Sequence, residues 1–281
     1  MLRHAKAGVD RALAEELRAT LAAARASVCE WLDEGVETWT ATPLLVPQIG
    51  AAVEAAARPV PARRRESSPA EPVQSVALDV VRPADPAAPS LEQVRIELGA
   101  CQRCRLAAGR TQIVFGDGDP DADLMLIGEG PGEQEDRTGL PFVGRAGELL
   151  TQMIEKGLSI PRSCVYICNI VKCRPPNNRT PLTDEVAACR TVLDAQIDAV
   201  QPKVILALGK PATSLLLDRD VAISRVRGTW QEYRGFPVMP TYHPAFLLRQ
   251  YTAENRRQVW EDLKQALARA RERGGRFPEL S

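Results

Sequence analysis

Four short apolar runs, each followed by a loop and a helical pattern, constrain this chain more than any other feature. The first, Asp123-Leu124-Met125-Leu126-Ile127-Gly128, ends at glycine and leads to a helix over roughly 144–157. The second, from Val165 to Val171, precedes a helix that starts at Thr180-Pro181, with proline at the first helical position. Val186, Cys189, Leu193, Ile197 and Val200 form the apolar stripe of that helix. Val204 to Gly209 is the third run, again with a helix after it. Phe236 to Thr241 is the fourth, running into His243-Pro244 and a last helix over about 253–273. Apolar strands alternating with helices predict an α/β fold: a doubly wound sheet of about four parallel strands with helices on both faces. Ligands of such sheets bind beyond the carboxyl ends of the strands. The residues there are Gly128 to Gly132, Asn169, Gly209-Lys210 and His243.

This α/β domain is expected over residues 91–281, opened by a capping box at Ser90-Leu91-Glu92-Gln93. Upstream the character changes twice. Within residues 1–45, the stretch 10–34 reads as an amphipathic helix capped by Asp10 and stopped by Gly35. Its stripe is Leu13, Leu17, Leu21, Ala24, Val28 and Leu32. A docking or partner-binding helix is the expectation, with a protein partner for it. Residues 46–90 hold Pro59, Pro61, Pro69, Pro72, Pro83, Pro86 and Pro89 among Ala, Arg, Glu and Ser. Such a segment buries too little apolar surface to offset its ordering entropy, so a disordered linker is expected.

Lys+Arg and Asp+Glu number 36 each, which argues against a histone-like coating of DNA by bulk positive charge. A local basic groove stays compatible with that balance. No run of about 18 apolar residues exists, and the N-terminus lacks the apolar stretch of a signal peptide. A cytoplasmic monomer with no membrane contact is the expectation. The seven cysteines are then reduced thiols rather than disulfides. With only His4 and His243 available as imidazoles, a metal site in this chain must be rich in thiolate.

Cys101-Gln102-Arg103-Cys104 is a CxxC that ends a short helix, unlike a redox pair, which follows a strand and opens a helix. Cys173 lies just past the second strand, and Cys189 on the apolar face of the next helix. Together the four suit zinc or an iron–sulfur cluster. Zinc sites usually pair two tight knuckles, whereas the second pair here is widely split, which fits a bulkier cluster better. Against both stands the ordinary role of Cys189 as a small buried apolar residue. Cys164 and Cys168 fall on one face of the second strand and read as core.

Three longer motifs accompany these cysteines. They are Gly128-Glu129-Gly130-Pro131-Gly132-Glu133-Gln134-Glu135-Asp136 with Thr138 to Gly144; Asn169-Ile170-Val171-Lys172-Cys173-Arg174-Pro175-Pro176-Asn177-Asn178-Arg179; and Tyr242-His243-Pro244-Ala245-Phe246-Leu247-Leu248-Arg249. In order and spacing the chain resembles the family 4 uracil-DNA glycosylases, which carry a 4Fe–4S cluster. The resemblance covers roughly residues 91–270. It implies excision of uracil from single- or double-stranded DNA, with Cys101, Cys104, Cys173 and Cys189 as cluster ligands. Relatives that trap DNA covalently carry an Arg-rich loop with a histidine near the second motif; none is present here, so hydrolysis is implied.

A glycosylase must unstack a base, grip its edge and hydrolyse the N-glycosidic bond. By resemblance, His243 donates to uracil O2, Asn169 reads the base edge and Phe142 stacks on the flipped ring. Glu129 and Glu135 are the carboxylates near the sugar, either of which orients water. Gly130, in the first loop, lets the backbone approach the base. Arg174, Arg179, Lys210 and Arg249 are candidate phosphate contacts. Each has an ordinary structural alternative: a satisfied core histidine, a strand-end cap, core packing, solvated surface charge. Two other functions compete, a DNA-binding or polymerase-associated module without chemistry and a four-thiolate zinc protein acting on nucleotides.

Overall fold

A computed structural model describes residues 88–278. The expected N-terminal helix, and the linker up to residue 87, lie outside the described residues. Order begins with helix α1 (Leu91–Leu98), whose capping box is present: Ser90 Oγ accepts the Gln93 N–H at 3.2 Å, and Gln93 Oε1 accepts the Ser90 N–H at 2.7 Å. Val94 and Leu98 pack against Phe115 and Val192.

The centre is a six-stranded mixed sheet made of β1 (Asp117–Gly118), β2 (Leu124–Gly128), β3 (Tyr166–Asn169), β4 (Val204–Leu208), β5 (Gln231–Tyr233) and β6 (Phe236–Thr241). Its order is β1-β3-β2-β4-β6-β5. The pairs β2–β3, β2–β4 and β4–β6 are parallel, whereas β1 and β5 close the edges antiparallel. The sheet is therefore wider than the apolar runs alone imply. Every residue of β2 and β4 is buried, and a fully buried Leu or Ile contributes about 1.5–3 kcal/mol, a strong signal in sequence. The two exposed residues of β1 contribute no such burial, so nothing in their pattern marks a strand.

Alternation sorts the side chains of the sheet onto two covered faces. Leu124, Leu126, Ile167, Leu206 and Met239 point to one, covered by α3 (Arg145–Gln152), α7 (Pro244–Arg249) and α8 (Ala253–Glu272) through Leu150, Leu247, Val259 and Leu263. Met125, Ile127, Cys168, Ile205 and Val238 point to the other, covered by α4 (Thr183–Val200) and α5 (Gly209–Leu216) through Leu193, Ile197, Ala212 and Leu216.

Three local expectations are corrected. Helix α4 starts at Thr183, not at Pro181, because Glu185 accepts the Leu182 N–H at 2.8 Å and sets the first turn there. Cys164 belongs to a 3₁₀ turn, Arg162–Cys164, before β3 and is partly exposed, while Cys168 is core. The CxxC lies past the end of α1, between its Gly99 cap and the 3₁₀ turn Arg105–Ala108.

Candidate active site

The register of the sheet brings the first two motifs together. Gly128 pairs with Asn169 across β2 and β3, and the Ile170 N–H donates to the Gly128 carbonyl at 2.9 Å. On the other side of β2, Leu208 pairs with Thr241, two residues before His243. Four strand ends thus deliver their loops to one edge of the sheet.

Asn169 is 1% exposed, and its Oδ1 is buried without a hydrogen-bond partner. A buried amide oxygen left unmatched costs stability and marks a position waiting for a donor. Gly128 keeps this place open: a Cβ there would lie 2.5 Å from both Asn169 Oδ1 and the Phe142 ring. Phe142 carries φ +53°, a left-handed conformation that a bulky residue holds only under constraint from its surroundings. Gly147 of α3 supplies part of that constraint, since a Cβ on it would overlap the Phe142 carbonyl. The Phe142 and His243 rings lie 5.6 Å apart, inclined by 32°. Gly209 lets His243 approach β4, because a Cβ there would meet the His243 Cβ at 2.9 Å. Asn169, Phe142 and His243, expected from three separate motifs, converge.

His243 caps α7 with its ring: Nδ1 accepts the Ala245 N–H at 3.1 Å. An accepting Nδ1 carries no proton, so the neutral ring holds its hydrogen on Nε2 and presents a donor there. Burial lowers its pKa to about 4, with the Arg249 charge adding to the shift and Glu135 opposing it. The imidazole is therefore a neutral donor at ordinary pH.

The two carboxylates differ. Glu135, in α2 (Glu133–Thr138), accepts the N–H groups of Gly132 at 3.1 Å, Val143 at 3.0 Å and Gly144 at 2.9 Å. It staples the first loop to the segment that carries Phe142. Glu129 makes no side-chain hydrogen bond or ion pair with another described residue, which leaves its oxygens available to water. Gly130 packs on the second motif, with Val171 Cγ2 2.9 Å from where a Cβ would stand.

The four candidate cysteines also come together. Cys101, Cys104, Cys173 and Cys189 line one small pocket with Arg103, Arg110 and Lys172. Arg110 Nη1 donates to Cys173 Sγ at 3.3 Å. Four sulfurs bound to a single zinc at about 2.3 Å would lie within about 4 Å of one another. No group of three or more His, Cys, Asp or Glu among the described residues is gathered tightly enough to hold one metal ion. The four thiols border one space, and four cysteines are the donor set that an iron–sulfur cluster takes. Burial raises the pKa of Cys173 and Cys189, and Arg110 and Lys172 respectively pull them back. These cations favour the thiolate forms that ligation requires.

The candidate phosphate contacts separate in the same way. Arg179 is held by the buried Glu185 through two hydrogen bonds, at 2.8 and 2.6 Å. Lys210 pairs with Asp220 at 2.8 Å, and Arg174 bonds Asn178 at 2.8 Å with Glu133 beyond at 3.8 Å. Arg249 is exposed beside His243, without an ion pair to another described residue. Two contributors were not expected from the sequence, Arg110 and Lys172, and Gly209 was placed at a strand end without its part in admitting His243. A lysine inside the apolar stretch from Asn169 to Cys173 was the one available signal, and only burial gives it meaning.

A six-stranded α/β sheet that gathers an unmatched amide, an aromatic ring and a neutral imidazole at its strand ends defines a protein built to hold a small polar ring. The family model described as the uracil DNA glycosylase superfamily matches residues 115–264. The chain is 49% identical over 178 residues to a type-4 uracil-DNA glycosylase of Thermotoga maritima, covering 63% of this chain and 92% of that protein. It is 45% identical over 183 residues to a type-4 uracil-DNA glycosylase of Sulfurisphaera tokodaii, covering 62% and 82%. A DNA polymerase of Bacillus phage SP01 is 32% identical over 136 residues, which is 48% of this chain and 14% of that protein. The chain belongs to the uracil-DNA glycosylase superfamily, in its type-4 family.

Proposed function

We propose that this chain removes uracil from DNA by hydrolysing the bond between the base and C1′ of the sugar, and that it carries a 4Fe–4S cluster. The observation that carries the proposal is the unmatched Asn169 Oδ1 beside the Phe142 ring, with neutral His243 at 5.6 Å from that ring. A flipped uracil stacks on Phe142 and gives its N3–H to Asn169 Oδ1, while the amide NH₂ donates to O4. Cytosine presents an acceptor at N3 and a donor at position 4, so the same amide rejects it.

As the C1′–N1 bond breaks, its electron pair stays with uracil and charge gathers on O2. The His243 Nε2–H donates to that oxygen, at no cost in reorganisation because α7 already fixes the ring. Glu129 orients the water whose oxygen bonds to C1′, and its carboxylate takes the proton that the water releases and passes it to solvent. Glu135 holds the loop that presents Phe142 and places Glu129. Arg249, exposed beside His243, would contact a phosphate flanking the flipped nucleotide.

Cys101, Cys104, Cys173 and Cys189 would hold the cluster, which supplies a structural tie between the start of the domain, the loop after β3 and α4. No helix among the described residues is long and apolar enough to cross a membrane. Action on DNA in the cytoplasm accords with the free thiols of the described residues. The test is single-turnover cleavage of a uracil-containing oligonucleotide, with alkaline scission at the abasic site. Excision of uracil but not cytosine is expected; DNA binding without excision would leave the module without chemistry standing.

A further inference from the structure

Lys172 is the bulkiest of the fully buried side chains, at 1% exposure. Its Nζ donates to the Asn169 carbonyl at 2.6 Å, and its own carbonyl accepts the Val114 N–H at 2.8 Å. It makes no ion pair with a carboxylate among the described residues. A buried ammonium without an anionic partner is costly, so negative charge must reach it from another source. The groups in reach are thiols. Lys172 lines the four-cysteine pocket, and its charge acts on both Cys168 and Cys189. Four thiolates around a cluster are the concentrated anion that such a cation requires. The same side chain faces the other way as well. Asn169 is the residue whose amide reads the base, and its carbonyl is where Lys172 is anchored.

We propose that Lys172 is a positioning residue that couples the cysteine site to base recognition. The charge of the thiolate site holds the ammonium in the core, and the ammonium fixes the Asn169 carbonyl and so the aim of its amide. This rests on the cluster assignment above. The geometry of the base reader then depends on occupancy of a site that no substrate atom touches.

Two variants separate the halves of the coupling. Lys172→Met keeps much of the volume and loses both the charge and the donor. Lys172→Gln loses the charge and keeps a donor for the carbonyl. Iron per chain, the reduction potential of the cluster, and single-turnover excision of uracil are measured on the iron-loaded proteins. Both variants should shift the potential to more negative values, because a nearby cation stabilises the added electron. The Met variant should lose excision by about tenfold or more, as misplacement near 1 Å does in oriented sites, and the Gln variant should lose less. A Gln variant with wild-type potential overturns the charge half, even where the Met protein fails to fold. Equal excision in wild type and both variants overturns the positioning half. Wild-type protein that binds zinc and no iron defeats the cluster assignment itself, an outcome distinct from either.

Discussion

His243 shows how one side chain combines two demands. Its Nδ1 satisfies an N–H at the start of α7, and that bond settles which nitrogen keeps the proton. With the folded pKa near 4 and the ordinary value 6.5, the unfolded chain takes up a proton between those limits that the folded chain refuses. This group therefore stabilises the fold above pH 6.5, and its contribution is lost as pH falls toward 4. The neutral donor persists over the same window, so the single-turnover rate should show no acid limb at 6.5 attributable to His243. A limb centred there that vanishes in His243→Asn would show an ordinary, solvated imidazole instead. Arg249→Ala removes the second cause of the depression and should move the ring's titration, followed by NMR, upward. Gly128 sets a different limit on the site. Alanine there would place a carbon 2.5 Å from Asn169 and Phe142, and overpacking of this kind costs about 1–3 kcal/mol. Gly128→Ala should fold with a lowered Tm and lose uracil binding; unchanged affinity for uracil-containing DNA would mean that the base does not lie between those two side chains.

At the scale of elements, α2 and the loops around it explain why two nearby glutamates do different work. Glu135 accepts three backbone N–H groups from both ends of the segment around α2, so it behaves as part of the loop. Glu135→Gln leaves one carbonyl oxygen where a carboxylate offered two, and an unsatisfied donor in this partly exposed segment costs up to about 1 kcal/mol. A drop in Tm together with a drop in rate is expected. Glu129→Gln should leave Tm within experimental scatter and lower only the rate of the chemical step. Thermal melts run beside single-turnover kinetics distinguish the two; a reversed pattern would exchange the roles. The start of α4 follows the same logic. Glu185 holds Arg179 and the Leu182 N–H together, so an arginine that reads as a phosphate contact in sequence serves the helix start in the fold.

Across the whole molecule, the cysteines join parts distant in sequence: the segment after α1, the loop after β3 and the middle of α4. Replacing Cys101, Cys104, Cys173 or Cys189 by serine should remove the absorbance at about 400 nm and the bound iron, and should lower the cooperativity of unfolding. Cys164→Ser should keep full iron. Cys168→Ser should keep iron too, at some cost in stability, because its thiol lies in the core beneath α4 and α5. Iron lost from the Cys164 or Cys168 variant, but retained in Cys189→Ser, would reassign the ligands.

Much of this was legible in the linear sequence because burial repeats. The runs that became β2, β3, β4 and β6 are buried along their whole length, and short apolar runs alternating with helical patterns point to a covered sheet. The motifs at their ends fell at the sheet edge where ligands bind, so Asn169, His243 and the first loop could be named from position. The cysteine spacing left a four-ligand site and a buried apolar Cys189 both open, and the fold brings the four side chains to one pocket. What the sequence could not contain is direction and distance between elements. The edge strands β1 and β5 carry almost no apolar signal. Whether Glu129 or Glu135 is free depends on which backbone N–H groups come within 3 Å. Arg179 and Lys172 look alike in sequence, as cations of the same motif, yet one pairs with a buried carboxylate and the other enters the core. Those outcomes depend on the tertiary structure because hydrogen bonds and charge pairs act over a few ångströms, and residues far apart along the chain meet only when the sheet brings them together.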